Sequence, residues 1–196
     1  MSKTQKKHKV AWGITGGGDK IVEIVKVMLE LKEQYASKVD IHVFVSKNGE
    51  TMLRFYKQFE ILKQEFTNFR VEMNANAPFL ASWLQSGKYD FMLVAPTSSN
   101  TVAKIVNSIG DTLITNSVIM SLKAFGEVYV LPTDYKESVV ETVIPNGKTI
   151  KIQVRKEEAE QVRKLEQMTG MHVIEKPEQI RDIFVEHYPN VGLTQS

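Results

Sequence analysis

Three short stretches carry residue types suited to holding an anionic small molecule. Thr15-Gly16-Gly17-Gly18 follows one strand-like run and opens a helix-like one. Ser46-Lys47 stands at the end of a second strand-like run. Pro96-Thr97-Ser98-Ser99-Asn100-Thr101 follows a third, Tyr89 to Ala95, and leads into Val102-Ala103-Lys104-Ile105-Val106. Glycines let backbone N–H groups approach a ligand closely, and a helix start adds unpaired N–H groups and a positive dipole end. Ordinary helix capping needs one Ser, Thr or Asn. The run from Thr97 to Thr101 exceeds that need, so the chemistry it points to is phosphate binding.

What the stretches lack narrows the ligand. A dinucleotide fingerprint asks for a third glycine three positions beyond Gly18, where Ile21 stands, and for an acid after the second strand, where Ser46-Lys47 stands. NAD is disfavoured, while NADP stays open through Lys47. No Gly-Lys-Ser or Gly-Lys-Thr triplet follows the glycines, which excludes a P-loop. A mononucleotide reached from three strand ends remains. Asp19 opposes a phosphate placed directly on the first helix, unless it serves only as that helix's cap, and so turns it toward the Ser/Asn/Thr loop. The chain has no cysteine, which excludes disulfides, Cys-ligated clusters and thiol nucleophiles within it and fits a cytoplasmic protein. His8, His42, His172 and His187 show no metal-ligand spacing. A net charge of +2 is too small to argue for nucleic acid, and no apolar run is long enough for a membrane span.

Elements that must position these loops follow from hydrophobic periodicity. Strands are expected at Lys9 to Ile14, Val39 to Val45, Phe69 to Met73, Tyr89 to Ala95, Glu127 to Leu131 and Met171 to Ile174. Helices are expected at Lys20 to Tyr35, Glu50 to Glu65, Pro78 to Gln85, Thr101 to Asn107, Asp111 to Ala124 with Asp111 as cap, Lys156 to Met168, and from Pro177 onward. Their alternation implies βαβ units, a mainly parallel sheet and a three-layer α-β-α, doubly wound fold. The β-branched runs Val139 to Ile144 and Thr149 to Val154, with Pro145-Asn146-Gly147 between, read as a hairpin inserted near residues 138–154. Residues 1–8 read as a flexible basic tail, 9–188 as one domain and 189–196 as a C-terminal tail. Trp12 and Trp83 read as core residues.

The three loops together resemble the flavoprotein family of homo-oligomeric cysteine decarboxylases and flavin prenyltransferases. Gly13 to Gly18 is similar to its first-strand Gly-Ile-(Ser/Thr)-Gly-Ala-(Ser/Gly) loop, Val45-Ser46 to its second-strand serine, and Ala95 to Thr101 to its Pro-Ala-Ser-Ala-Asn-Thr motif. The resemblance implies a flavodoxin-like sheet, an FMN site and trimers with the flavin near a subunit interface. It also implies that Ser98, Ser99, Thr101 and the Thr15–Gly18 N–H groups hold the phosphate, that Ser46 meets the flavin or ribityl chain, and that Asn100 meets the ring's polar edge.

Departures from the family pattern bear on activity. Asn74-Ala75-Asn76-Ala77-Pro78-Phe79 lacks the decarboxylases' histidine after the third strand. Pro132-Thr133-Asp134-Tyr135-Lys136-Glu137 lacks the Asn and Trp of their substrate motif. Arg54 and Lys136 are the available stand-ins for the prenyltransferases' basic set. The pattern is most similar to the archaeoflavoprotein branch, which includes dihydromethanopterin reductase-like proteins. That branch implies an FMN-dependent oxidoreductase or electron carrier, a ferredoxin-type donor, and a second acceptor or a pterin. Alternatives are a prenyltransferase-like or decarboxylase-like enzyme and a non-catalytic flavin-binding module.

Overall fold

The computed structural model describes residues 7–143 and 147–189. The element order is β1 (His8–Ile14), α1 (Ile21–Gln34), β2 (Val39–Val45), α2 (Lys47–Phe55), α3 (Phe59–Glu65), β3 (Phe69–Val71), α4 (Leu80–Gln85), β4 (Phe91–Thr97), α5 (Ser99–Val106), α6 (Leu113–Lys123), β5 (Val128–Pro132), β6 (Ser138–Val143), β7 (Thr149–Val154), α7 (Lys156–Glu166), β8 (Met171–Val173) and α8 (Gln179–His187). β3-β2-β1-β4-β5-β8 form one sheet in which every pairing is parallel. The fold is α/β and doubly wound, as its alternating elements imply.

Strand residues alternate between two cores, because successive side chains leave a strand on opposite faces. Val10, Trp12 and Ile14 of β1 join α1, α2, α3 and α8 in one core. Ala11, with Met92 and Val94 of β4, joins α4, α5, α6 and α7 in the other. Both faces are therefore covered, which explains why the central strands read as nearly continuous apolar runs. Trp12 is fully buried, and its indole N–H donates to the Ala95 carbonyl at 2.7 Å. Trp83 is partly buried, with the Lys88 ammonium 3.7 Å from its ring centre.

Several boundaries differ from the sequence expectation. The helix expected over Glu50 to Glu65 is two helices, broken at Lys57, which adopts a left-handed φ of 58°. β4 runs through Pro96 and Thr97, since its pairing with β5 shifts after Val94 and resumes at Thr97 with Pro132. The following helix accordingly starts at Ser99 and not at Thr101. Thr112, and not Asp111, caps α6 through a reciprocal box with Thr115, while the Asp111 carboxylate pairs with Lys104 at 2.8 Å. Lys20, and not Asp19, occupies the cap position of α1. β1 starts at His8, one residue inside the expected tail; residues 1–6 and 190–196 of the two tails lie outside the described residues.

The hairpin is present, with β6 and β7 paired antiparallel from Ser138 with Val154 to Val143 with Thr149. It forms a two-stranded sheet separate from the main one. Ile144, the expected end of the first strand, and Pro145 and Asn146 lie outside the described residues.

Candidate functional site

The sheet order reverses between β1 and β4, and the crevice at the carboxyl ends of these strands is where doubly wound folds bind ligands. Thr15 ties the two strand ends together. Its N–H donates to the Pro96 carbonyl at 3.2 Å and its hydroxyl to the same carbonyl at 2.9 Å. That hydroxyl also accepts from Ser98 N–H at 2.8 Å. Thr15 thus shapes the crevice floor and has no donor left over for a ligand. The glycines after it permit close packing. A Cβ on Gly17 would lie 2.5 Å from the Thr133 methyl, and one on Gly16 2.9 Å from the Asn48 Cβ.

Two clefts open here, and Gly16, Met52, Ser98 and Asn100 line both. The first, about 740 Å³, lies among Ser46, Lys47, Thr51, Glu72, Thr101, Lys104 and Asp111. The second, about 890 Å³, lies among Gly17, Gly18, Tyr56, Ser99, Asp134, Tyr135 and the hairpin residues Val140, Ile152 and Val154. Both volumes fall within the ~300–1,000 Å³ usual for small-molecule sites. Ten of the residues expected from the sequence line one cleft or both: Thr15, Gly16, Gly17, Gly18, Ser46, Lys47, Ser98, Ser99, Asn100 and Thr101. Pro96 and Thr97 line neither. Both are buried in β4, and the Thr97 hydroxyl is spent on the Val94 carbonyl at 2.6 Å. The strand runs two residues further than its pattern suggests.

Accounting for the helix N-termini identifies the donors left for an anion. Ser46 caps α2, accepting from Gly49 N–H at 3.0 Å, which leaves its hydroxyl proton to give. Glu72 is nearly buried and bridges two helices, accepting from Lys47 N–H of α2 at 3.2 Å and Leu113 N–H of α6 at 3.1 Å. Its negative charge occupies the positive ends of both helices and bars a second anion from them. Ser98 caps α5 through Thr101 N–H at 3.4 Å. Among the described residues, the N–H groups of Ser99, Asn100, Gly16, Gly17 and Gly18 have no acceptor. Nor does the Lys47 ammonium have a carboxylate partner, whereas Lys104 is neutralised by Asp111. A phosphate therefore meets free donors at α5 and the glycine loop, with an uncompensated cation on the first-cleft side.

The second cleft has a different character. Asp19, Asp134, Glu141 and Glu175 face it against Lys20 and Lys136. Asp134 accepts from the Ser99 hydroxyl and, at 3.3 Å, from that of Thr133. Burial pushes its carboxyl above the usual carboxylate range. The Thr133 hydroxyl opposes that shift, and the charges of Glu158 and Asp19 add to it. The Tyr135 phenol is pushed up to about 12, first by its 2.8 Å bond to Glu166 and then by burial, so it stays protonated at neutral pH. Glu72 and Asp134 were missed in the sequence. Each stands at the carboxyl end of a strand, and that placement was the signal that could have singled them out.

The arrangement is that of a mononucleotide-binding doubly wound domain, with donors for one phosphate and room beside it for a flat ring and a second molecule. The sequence profile of the Flavoprotein family matches residues 1–192, and the chain belongs to that family. An uncharacterised protein of Methanocaldococcus jannaschii is 46% identical to it, over 91% of this chain and 95% of the relative. Dihydromethanopterin reductase (acceptor) of the same organism is 28% identical, over 90% of this chain and 95% of the relative. Among solved structures, DmrB of Burkholderia xenovorans in complex with FMN, described as a cubic protein cage for redox transfer, is 25% identical. It superposes with a TM-score of 0.80 over 96% of this chain and 99% of DmrB. FMN is the flavin that this family and the site together indicate.

Proposed function

We propose that this chain is an FMN-dependent oxidoreductase that takes electrons from a ferredoxin-type donor and passes them to a pterin of the dihydromethanopterin class. The observation that carries the proposal is the pair of clefts meeting at Gly16, Met52, Ser98 and Asn100. A cofactor held in one is within reach of a second molecule in the other. When bound, FMN supplies the redox chemistry of its ring. The chain's residues hold and orient it. The N–H groups of Ser99, Asn100 and the glycine loop take the phosphate, Lys47 adds the cation, the Ser46 hydroxyl donates to the ribityl chain, and the Asn100 amide meets the ring's polar edge. The sequence similarity to dihydromethanopterin reductase favours the pterin as acceptor.

A prenyltransferase reading has less support. Arg54 is engaged by Glu50 at 2.7 Å and Glu60 at 3.5 Å, and Lys136 by Glu175 at 3.4 Å, so neither is free for a diphosphate. The acid-rich second cleft would repel one. We further propose a trimer-based assembly. Met73, adjoining Glu72, and Phe79 and Ile109 expose 73%, 66% and 47% of their surfaces. Ile109 lines the first cleft and Met73 follows its Glu72, so a second copy packed there would cover apolar surface and help close the flavin site.

The test uses the purified protein. A yellow protein with the FMN spectrum, bleached anaerobically by reduced ferredoxin and reoxidised by the pterin, is the expected result. A colourless protein that gains no flavin absorbance on reconstitution refutes the reading. Sedimentation analysis tests the assembly, and a monomer at micromolar concentration refutes it.

A further inference from the structure

Asp134 is a half-buried carboxyl facing the second cleft, and among the described residues no lysine or arginine pairs with it. The two lysines of that cleft are directed elsewhere. Lys20 donates to the Glu175 carbonyl at 3.2 Å and lies 3.8 Å from Asp19, and Lys136 reaches the Glu175 carboxylate at 3.4 Å. Two hydroxyls, those of Ser99 and Thr133, bond to one oxygen of Asp134, Oδ2, and among the described residues Oδ1 has no partner. Acceptor capacity is therefore left over inside the cleft. The ligand that suits it presents N–H donors and no negative charge.

The rest of the cleft gives the ligand's shape. Tyr56 and Tyr135 contribute aromatic rings, and Val140 and Ile152 of the hairpin an apolar wall. A flat heterocycle suits a cleft lined in this way. We infer that Asp134 determines the specificity of the acceptor subsite, its Oδ1 accepting N–H bonds from the 2-amino-4-oxopyrimidine edge of a pterin. This rests on the pterin reading above and assigns it a residue. The same carboxylate discriminates against the other flat ring at the site. The flavin's own pyrimidine edge places a carbonyl on each side of its single N–H, and those carbonyls would face the carboxylate oxygens. The subsite thus separates acceptor from cofactor by hydrogen-bond polarity. Burial and the neighbouring acids already press on the Asp134 charge, and N–H donors at Oδ1 would relieve that pressure.

The experiment titrates the FMN-loaded protein with a dihydropterin and follows the perturbation of the oxidised flavin spectrum, with FMN retention as the fold control. Asp134→Asn replaces one acceptor oxygen with a donor and should raise the pterin Kd by roughly 30-fold or more, the scale of one lost charge-assisted contact. A second measurement needs no variant. A 2-deamino-2-oxo analogue, with a carbonyl in place of the amino group, should bind the unaltered protein at least about tenfold more weakly. Equal pterin affinity in Asp134→Asn and the unaltered protein overturns the role of Asp134 and leaves the pterin reading standing. Equal affinity for the pterin and its analogue in the unaltered protein does the same. If the unaltered, FMN-loaded protein binds no pterin, the pterin reading fails and this inference with it.

Discussion

Replacing Glu72 with alanine should destabilise the protein by about 3 kcal/mol, and the figure follows from the two N–H groups it serves. Leu113 is fully buried, so its N–H at the start of α6 has no water to replace a carboxylate 3.1 Å away. Losing a charge-assisted bond there and leaving the donor unpaired costs about 2–3 kcal/mol. Lys47 is exposed, and water can take over its N–H, so that end contributes only about 0.5–1 kcal/mol. Glu72→Gln keeps one carbonyl acceptor and loses the charge at both helix ends, which predicts a smaller loss of about 1–2 kcal/mol. Urea denaturation followed by tryptophan fluorescence reads the difference, since Trp12 is fully buried in the core. Because Glu72 also joins two walls of the first cleft, FMN retention should fall in the same order, least for Gln. The reasoning is refuted if Glu72→Ala unfolds within about 0.5 kcal/mol of the parent, the scatter of ordinary surface changes.

Three further outcomes are expected. Asn100→Asp sets a negative charge beside the donors assigned to the phosphate and should weaken FMN binding by at least about tenfold in equilibrium dialysis; unchanged retention would remove Asn100 from the site. Gly17→Ala forces a methyl against Thr133 at 2.5 Å and should cost about 1–3 kcal/mol as overpacking, with weaker flavin retention. A thermal midpoint equal to the parent's would show that the loop is free to move away. Burial holds the His42 imidazole below its ordinary range, against the opposing pull of Asp40 at 2.8 Å. The unfolded chain therefore binds the proton first as pH falls. His42 contributes stability that is complete above its unfolded value of about 6.5 and is lost as pH drops below it toward the folded value. Stability curves from about pH 7.5 to about pH 5 should be flatter for His42→Gln than for the parent, and parallel curves would refute this account.

The order of elements and the face each strand presents were legible because burial on both sides leaves a periodicity that any reader can follow, as in β2, expected and found at Val39–Val45. The glycine loop, Ser46 and the polar run leading into α5 stood out because their residue types are unusual for their positions. What escaped was set at a distance. β4 extends through Thr97 because Pro132, 35 positions away, pairs with it, and no local signal marks that. The break at Lys57 carries neither glycine nor proline to announce its left-handed turn. Asp111 and Thr112 are both good caps on paper. Tertiary pairing with Lys104 takes the first and leaves the helix to the second. Glu72 looked like the polar phase of a short strand until two helix ends converged on it.

The hairpin has a consequence for descent. Among the described residues β6 pairs with β7 and with no strand of the main sheet, yet Val140, Ile152 and Val154 wall the second cleft and take no part in the first. On the proposed assignment the cofactor end is built from the main sheet and its helices, and part of the end assigned to the acceptor is carried on the hairpin. Lineages can rewrite that hairpin, in length or sequence, while the parts that retain the flavin stay under their own selection. Relatives that serve different acceptors should therefore diverge earliest in residues 138–154. Grafting this segment between them should transfer acceptor preference while leaving the colour of the protein unchanged.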